Sequence, residues 1–393
     1  MNELGLRQPA NGMARSAEEA MKVAASIGYP ILVRPSYVLG GQAMRIIYEP
    51  EGLERYLSTA TKASEDRPVL VDRYLEDAFE YDVDAIADGK RVVIAGILQH
   101  VEEAGVHSGD SAAFFPPYKI KPHIREELVS VTRKLGLALG VRGLMNVQFA
   151  EKDGELYVLE VNPRASRTVP FLAKATGTLM VQHAVRVMMG ATLDELGLYD
   201  DPQPSLYFAK APVFPFRKFP GVDVLLGPEM RSTGEVMGIG KTPGEAFLKA
   251  MQGAGIDLPE QGTVFMSVND NDKADALRVA KKLNELGFKL VGTRGTALHL
   301  FDNGVPAQLV FKVNEGRPNV TDLIRNGDIQ IVINTPLGKA SFFDEKAIRV
   351  AASERGIPCI TTLSAAESAI EAIRHARGKT IDVYALQDLS TRT

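Results

Sequence analysis

The feature that most constrains the fold is a change of hydrophobic rhythm across residues 252–262. After it, apolar runs of strand length at 264–268, 289–291 and 329–333 alternate with helical runs at 273–286, 344–355 and 365–376. That alternation is the signature of a parallel sheet with helices on its faces. Before it, strand-like runs at 31–33, 46–48, 69–71, 82–87, 92–96, 145–150 and 156–161 are interrupted by helical segments at 16–27, 50–62 and 123–139. The first helix has Ser16 as an N-cap with Glu19 three positions on, and it stops at Gly28. The segment 252–262 is glycine-rich and holds Pro259, the composition of a linker. The expected organisation is therefore an α+β region over residues 1–255 followed by an α/β region over 256–393. A chain of 393 residues also exceeds what one hydrophobic core usually serves.

Composition excludes several functions. Hydrophobic residues make up 45%, charged residues 24%, and the net charge of -4 supplies no electrostatic attraction for nucleic acid or an anionic membrane. Small-molecule chemistry is the better expectation. No apolar run approaches the roughly 20 residues needed to cross a bilayer, and residues 1–5 lack the basic and apolar parts of a signal peptide. The single cysteine, Cys359, forms no internal disulfide and reads as a small buried apolar residue. A cytoplasmic location is expected.

Three groups of residues carry chemistry. Arg34 stands at the root of a loop, 35–44, containing Gly40-Gly41, where backbone N–H groups could approach a phosphate without Cβ obstruction. A glycine pair between strands is also an ordinary turn, and the Gly-Lys-Ser/Thr ending of a P-loop is missing. Gln148, Glu160 and Asn162 form the second group. Period-2 geometry puts Glu160 and Asn162 on one strand face, and a hairpin turn at 152–154 lays Gln148 beside them. Three oxygen donors there suit a magnesium ion shared with a nucleotide; an exposed polar sheet face is the alternative. The third group is Asp72, Glu80, Asp82 and Asp84, followed by Glu102 and the glycine-rich stretch Gly105-Val106-His107-Ser108-Gly109-Asp110. Alternating acids can simply mark a solvated strand face. His107 has no second histidine or cysteine at metal spacing, so zinc is not expected.

In this order the pieces resemble the ATP-grasp ligases. The strings VRPSYVLGG, AGVHSGDSA, RGLMNVQFA, LEVNPRASRTVPF and FPGVDVLLGPEMRSTGEVMG resemble the large subunit of carbamoyl-phosphate synthetase, in its C-terminal part. The resemblance runs from about residue 6 to the end. It implies a partial ATP-grasp fold followed by a doubly wound, methylglyoxal-synthase-like regulatory domain. It further implies ATP-dependent phosphorylation of carbamate, with ammonia arriving from a separate glutaminase subunit by way of a first ATP-grasp half. On that resemblance, Arg34 contacts the nucleotide phosphates; Asp72, Leu75 and Glu80 line the adenosine pocket; and Gly105, Val106, His107 and Ser108 complete the nucleotide contacts. Gln148, Glu160 and Asn162 hold Mg2+ or Mn2+, and Arg164 faces the transferred phosphoryl group. Such chemistry depends on positioning and charge neutralisation more than on a nucleophile. Lys273, Thr293, Thr296, Lys312 and Asn334 match positions that bind an effector such as uridine or inosine monophosphate.

The sequence departs from the family in places. Ala211 replaces a glutamate that helps hold ornithine in relatives it activates, although Glu102 and Asp110 match other ornithine contacts; weak or absent ornithine activation is expected. Pro336 replaces a threonine near the effector positions. Glu315-Gly316-Arg317 stands where methylglyoxal synthases carry a catalytic aspartate. An α/β subdomain that precedes helix 16–27 in the family is not part of this sequence, so little synthetase activity is expected of the chain alone.

Overall fold

The computed structural model describes residues 1–35, 41, 43–60, 68–199, 202, 204–219, 221–335, 338–377 and 381–389. The loop residues 36–40 and 42, with Gly40 among them, and Pro336 lie outside the described residues. The elements in chain order are β1 (Asn11–Ala14), α1 (Ala17–Ile27), β2 (Ile31–Pro35), β3 (Arg45–Ile47), α2 (Pro50–Ala60), β4 (Val69–Arg73), β5 (Phe79–Asp88), β6 (Val92–Glu103), β7 (Ala113–Phe115), α3 (Pro122–Ala138), β8 (Arg142–Lys152), β9 (Glu155–Asn162), α4 (Val169–Thr176), α5 (Met180–Met188) and β10 (Tyr207–Val213). They continue with β11 (Gly234–Gly240), α6 (Pro243–Gly253), β12 (Thr263–Val268), α7 (Lys273–Glu285), β13 (Lys289–Gly292), α8 (Arg294–Asp302), β14 (Gln308–Leu309), α9 (Val320–Asn326), β15 (Ile331–Thr335), α10 (Gly338–Arg355), β16 (Cys359–Ile360) and α11 (Leu363–Ala376).

Packing divides the chain into two compact units, one of Met1–Ser205, Leu226–Arg231 and Tyr384–Thr393, the other of Leu206–Leu225 and Ser232–Val383. By packing, β10, β11 and α6 thus belong with the C-terminal unit, although the linker composition follows them in sequence.

The first unit contains two antiparallel sheets. In the smaller, strands run in the order β1-β4-β2-β3, and α1 and α2 cover it. Ser16 Oγ accepts the Glu19 N–H at 3.1 Å and the Glu19 carboxylate accepts the Arg15 N–H at 2.7 Å, so the first turn of α1 is closed from both sides. Ala20 and Ala24 of α1, with Leu53 and Leu57 of α2, bury against Ile31, Val33, Ile47 and Val71. In the larger sheet, β7, β6, β5, β8 and β9 lie in that order. Tyr81, Val83, Ala85 and Ala87 of β5 and Met145, Val147 and Phe149 of β8 share a core with Ile124, Leu128, Val131 and Leu135 of α3. These strand residues are all odd-numbered, so the even-numbered side chains of β5 and β8 point to the opposite face.

The second unit holds five parallel strands in the order β14-β13-β12-β15-β16. Counted along the chain this is 3-2-1-4-5, a doubly wound sheet whose order reverses between β12 and β15. Phe265, Val291, Val332, Ile324 and Ile348 are among its core residues. Cys359 is half-buried against that core, and desolvation pushes its thiol up to about 12, so it is a packing residue and not a nucleophile at neutral pH. Among the described residues no helix is long and apolar enough to cross a membrane.

Candidate functional site

The even-numbered face of the larger sheet carries a run of polar side chains at its centre. On β5 it presents Glu80, Asp82 and Asp84, and these pair across to Ala150, Gln148 and Asn146 of β8. The hairpin joining β8 to β9 turns at Asp153-Gly154, both with positive φ, as a two-residue primed turn requires. Its register places Gln148 opposite Glu160 and Asn146 opposite Asn162. A bulge decides which way these point. Phe149 pairs with Val158 and Gln148 with Glu160, so Leu159 is an extra residue. Without the bulge Glu160 would continue the phase of Leu156 and Val158 into the α3-facing core; with it, Val161 returns to that core and Glu160 lies beside Gln148. Leu159 itself packs with Leu75, Ala78, Ala104 and Ala150. One side of the sheet therefore offers an apolar patch next to three oxygen donors.

The acids on this face are not solvated. Glu80, Asp82 and Asp84 are 3%, 1% and 1% exposed. The His100 ring is clamped between two of them, Nε2 at 2.9 Å from Asp82 and Nδ1 at 3.7 Å from Glu80. Desolvation pushes Glu80 up to about 7, with the neighbouring Asp82 and Glu160 carboxylates adding to the rise and His100 and the Gly105 N–H opposing it. Desolvation and Asp82 likewise hold Asp84 at about 6, against hydrogen bonds from Ser166, Thr168 and Asn146. Ser166 Oγ donates to Asp84 at 2.6 Å and Asn146 Nδ2 at 3.1 Å, and Thr168 Oγ1 bonds its other oxygen. Asp84 thereby ties down the turn after β9 that carries Arg164. Arg164 is exposed, with Nη1 on the Ala165 carbonyl at 3.0 Å.

The other nucleotide candidates flank this face. Arg34 on β2 forms an ion pair with Asp72 on β4 at 2.9 Å. Burial raises the Asp72 carboxyl and the Arg34 charge partly offsets it. Leu75 follows β4 and reaches the patch with Ala104. Gly105 has φ +100°, and a Cβ there would lie 2.6 Å from the Tyr74 ring, so only glycine fits. Tyr74 in turn donates to the Ala104 carbonyl at 2.8 Å. His107 Nδ1 accepts the Gly109 N–H at 3.0 Å, which leaves the neutral ring its proton on Nε2. Val106 and Ser108 lie on the same turn. The structure thus gathers Leu75, Glu80, Gly105, Gln148 and Glu160 at one face, with Asn162 and Arg164 at its end. Arg34 and Asp72 stand on the smaller sheet.

Sequence reasoning missed Asn146, His100, Ser166 and Thr168. Asn146 was visible as the residue two before Gln148; the other three carry no local signal. It also missed 227–231, whose Gly227 carbonyl accepts the His107 N–H at 2.9 Å and whose Glu229 carboxylate accepts the Ala43 N–H at 2.7 Å.

A second cluster sits at the C-terminal edge of the parallel sheet. Thr293 occupies the N-cap position of α8 just beyond β13 without a side-chain capping bond, and its hydroxyl is 3.3 Å from Ser267 Oγ. Thr296 Oγ1 accepts the Val268 N–H at 3.1 Å, and Asn334 Nδ2 donates to the Ser267 carbonyl at 3.2 Å. Thr293, Thr296 and Asn334 are buried. Lys273 starts α7, pairs with Asp270 at 2.7 Å, and its Nζ is 3.9 Å from where a Cβ on Gly295 would be. Lys312 follows β14 on the same edge, with its N–H on Glu315 at 2.8 Å. The crevice between β12 and β15 is the place where doubly wound sheets bind ligands.

A small antiparallel sheet, a larger one with a buried acidic face, and oxygen donors on a terminal hairpin define the ATP-grasp class. The biotin carboxylase domain of Hydrogenobacter thermophilus 2-oxoglutarate carboxylase shares this fold at a TM-score of 0.51 and 21% identity, over 64% of this chain and 62% of that one. A family model described as the carbamoyl-phosphate synthase L chain ATP binding domain matches residues 1–196, and an MGS-like domain model matches 275–361. The chain is 48% identical to the carbamoyl phosphate synthase large chain, C-terminal section, of Aquifex aeolicus, over 98% of this chain and 76% of that protein. It is 52% identical to the large chain of Ralstonia nicotianae, over 99% of this chain and 36% of that protein. The chain belongs to the carbamoyl phosphate synthase large chain family, and it spans little more than a third of the length of full relatives such as the latter.

Proposed function

We propose that the first unit binds MgATP and phosphorylates carbamate, as part of a complete carbamoyl-phosphate synthetase large chain serving pyrimidine and arginine synthesis. The observation that carries this reading is the bulge that turns Glu160 out of the core to stand opposite Gln148. One carboxylate and two amide oxygens fit a magnesium or manganese ion that also takes phosphate oxygens. Among the described residues no group of three or more His, Cys, Asp and Glu side chains offers a metal cage. The ion, when bound, supplies charge neutralisation to the transferring phosphoryl group.

The remaining residues have separable tasks. Leu75 and Leu159 give the adenine an apolar surface, and Glu80, held partly protonated by burial, can donate to or accept from it. His107 presents its ring Nε2–H to the nucleotide, and Gly105, Val106 and Ser108 complete the turn around it, the backbone N–H groups of Gly105 and His107 being held by Glu80 and the Gly227 carbonyl. Arg34 and Arg164 are the catalytic cations, stabilising charge that develops on the phosphoryl oxygens. Asp84 positions the Arg164 turn. The neighbouring carboxylase domain holds MgADP and bicarbonate, reactants of the same chemical kind.

The partners proposed are the rest of the large chain with its first ATP-grasp half, the small glutaminase subunit, and uridine or inosine monophosphate at Lys273, Thr293, Thr296, Lys312 and Asn334. Neither nucleic acid nor membrane is proposed, and the location proposed is the cytoplasm. The sequence modules are taken to meet at residues 255/256. Methylglyoxal synthase activity is not assigned, because Glu315-Gly316-Arg317 stands where those enzymes carry a catalytic aspartate. The test is ATP formation from MgADP and carbamoyl phosphate by the complete large chain. Activity that survives Glu160→Gln undiminished would overturn the metal-ligand assignment.

A further inference from the structure

The second unit holds a fully buried cation to which the reading above gives no task. Arg349 on α10 is 0% exposed. Its Nε and Nη2 donate to Oδ1 and Oδ2 of Asp223, each at 2.7 Å, and its Nη1 donates to Asn334 Oδ1 at 2.9 Å. Glu345, one turn earlier on α10, lies 3.9 Å from Nη1. Burial opposes ionisation of Asp223, yet the hydrogen bonds and charge of Arg349, with the Leu225 N–H, hold its carboxyl below the usual range. Asp223 therefore matches the guanidinium charge, and Arg349 brings no surplus positive charge to a ligand nearby. Its influence on the neighbouring parallel-sheet edge is one of hydrogen-bond direction.

Asn334 on β15 stands in register with Ser267 of β12, where the strand order reverses, and is itself 0% exposed. A side-chain amide has an acceptor end and a donor end of nearly the same shape, so its surroundings decide which way round it lies. The Arg349 guanidinium can only donate, so the end facing it is Oδ1. The Ser267 carbonyl can only accept, at 3.2 Å, so the end facing it is Nδ2. Turned round, the amide would set N–H against guanidinium and oxygen against carbonyl, with no solvent to relieve either. Nδ2 keeps a second hydrogen, for which the described residues supply no acceptor. Ser267 Oγ lies 3.3 Å from Thr293 Oγ1, which puts this hydrogen beside the Thr293 and Thr296 hydroxyls at the start of α8.

We propose that Arg349 and Asp223 are positioning residues that fix the Asn334 amide with its N–H toward the ligand. The edge then selects a hydrogen-bond acceptor, the phosphate of a nucleoside monophosphate, and rejects a cationic group. The proposal deepens the effector reading of this edge and rests on it. A bidentate guanidinium–carboxylate pair permits little angular slack, so it holds Nη1 on Oδ1. A pair kept only for stability is a weaker account, since apolar side chains of similar volume commonly do as well.

Calorimetry on the full chain, with uridine and inosine monophosphate as probes, tests this through a thermodynamic cycle. One variant combines Arg349→Met with Asp223→Leu, so that the bonded pair leaves together and neither charge is stranded. The other is Asn334→Ala, made alone and in the pair variant. Loss of the pair should weaken the binding probe by about tenfold, the scale of one charge-assisted hydrogen bond, and Asn334→Ala should weaken it to a similar degree. In the Asn334→Ala background, loss of the pair should cost less than about twofold, because the amide it acts through is gone. Undiminished affinity in the folded pair variant would overturn the proposal. So would a tenfold loss repeated in the Asn334→Ala background, which marks a structural role. If neither monophosphate binds the unmodified chain, the effector reading fails first and the proposal falls with it. Should the pair variant not fold, Asn334→Asp takes its place. It keeps the bond from Arg349 and sets a carboxylate oxygen where the Nδ2 hydrogens stood. Binding is expected to drop about a hundredfold or more through like-charge repulsion, and binding as tight as before contradicts the orientation.

Discussion

The two units build their candidate sites in opposite ways. In the first, the site lies on the face of an antiparallel sheet, and side-chain alternation with one bulge decides which residues reach it. In the second, it lies at the strand ends of a parallel sheet, where topology alone gathers Ser267, Thr293 and Asn334. A face site depends on register and can be moved by a single residue; an edge site depends on strand order and tolerates local change. The sheet face contains Glu80, Asp82 and Asp84 almost without solvent, whereas two cations of the edge cluster, Lys273 and Lys312, are half-exposed.

That contrast can be broken at several points. The largest effect is expected on the face: Glu160→Gln in the complete large chain should lower ATP formation from MgADP and carbamoyl phosphate by about 10²-fold or more, leaving the edge site's monophosphate affinity unchanged. At the edge, Lys273→Met should weaken monophosphate binding by about tenfold, the loss of one charge-assisted contact, without altering MgADP binding. Calorimetry on both variants checks the pair.

The buried acids also make the face pH-sensitive. Glu80 at about 7 and Asp84 at about 6 stand above their ordinary values of 4.5 and 3.8. For a carboxyl raised on folding, the native state holds the proton more tightly, so the contribution is present below the ordinary value and is lost as pH rises through the raised one. Urea denaturation should therefore show stability falling between about pH 4 and pH 7, by up to about 1.4 kcal/mol per pH unit for each group while it titrates. Glu80→Gln should flatten the upper part of that slope, and an unchanged slope would remove Glu80 from the account. The smallest expected effect is the absence of one. Ala211 brings no carboxylate to an ornithine ammonium, so calorimetry with ornithine should show no tight binding, and a tight isotherm would contradict this.

Much of this was legible in the residues because it is local. Ser16 with Glu19, the turn at Asp153-Gly154, and the alternation of strand and helix after Thr263 each appear in the structure where the pattern places them. Helix α10 begins earlier than its apolar run suggested, and β6 runs longer because pairing with β5 extends it to Glu103. The alternating acids of β5 were open to reading as a solvated face. Their burial follows from His100 and from the Ser166 and Thr168 hydroxyls, which lie far away in sequence. The bulge at Leu159 was equally hidden: strict alternation along β9 cannot put both Val158 and Val161 in one core, but only pairing with Phe149 and Gln148 shows where the phase slips. The grouping of β10, β11 and α6 with the second unit is likewise a matter of packing, which linker composition does not report.

The most direct measurement is a thermal-shift titration of the chain with MgATP and, separately, with uridine and inosine monophosphate, repeated on Glu160→Gln and Lys273→Met. Occupancy of the folded state raises the melting temperature at each site independently. The account predicts that MgATP and at least one monophosphate each stabilise the chain, that Glu160→Gln removes only the MgATP shift, and that Lys273→Met diminishes only the monophosphate shift. An MgATP shift untouched by Glu160→Gln, or a monophosphate shift lost with it, would contradict two separate nucleotide sites.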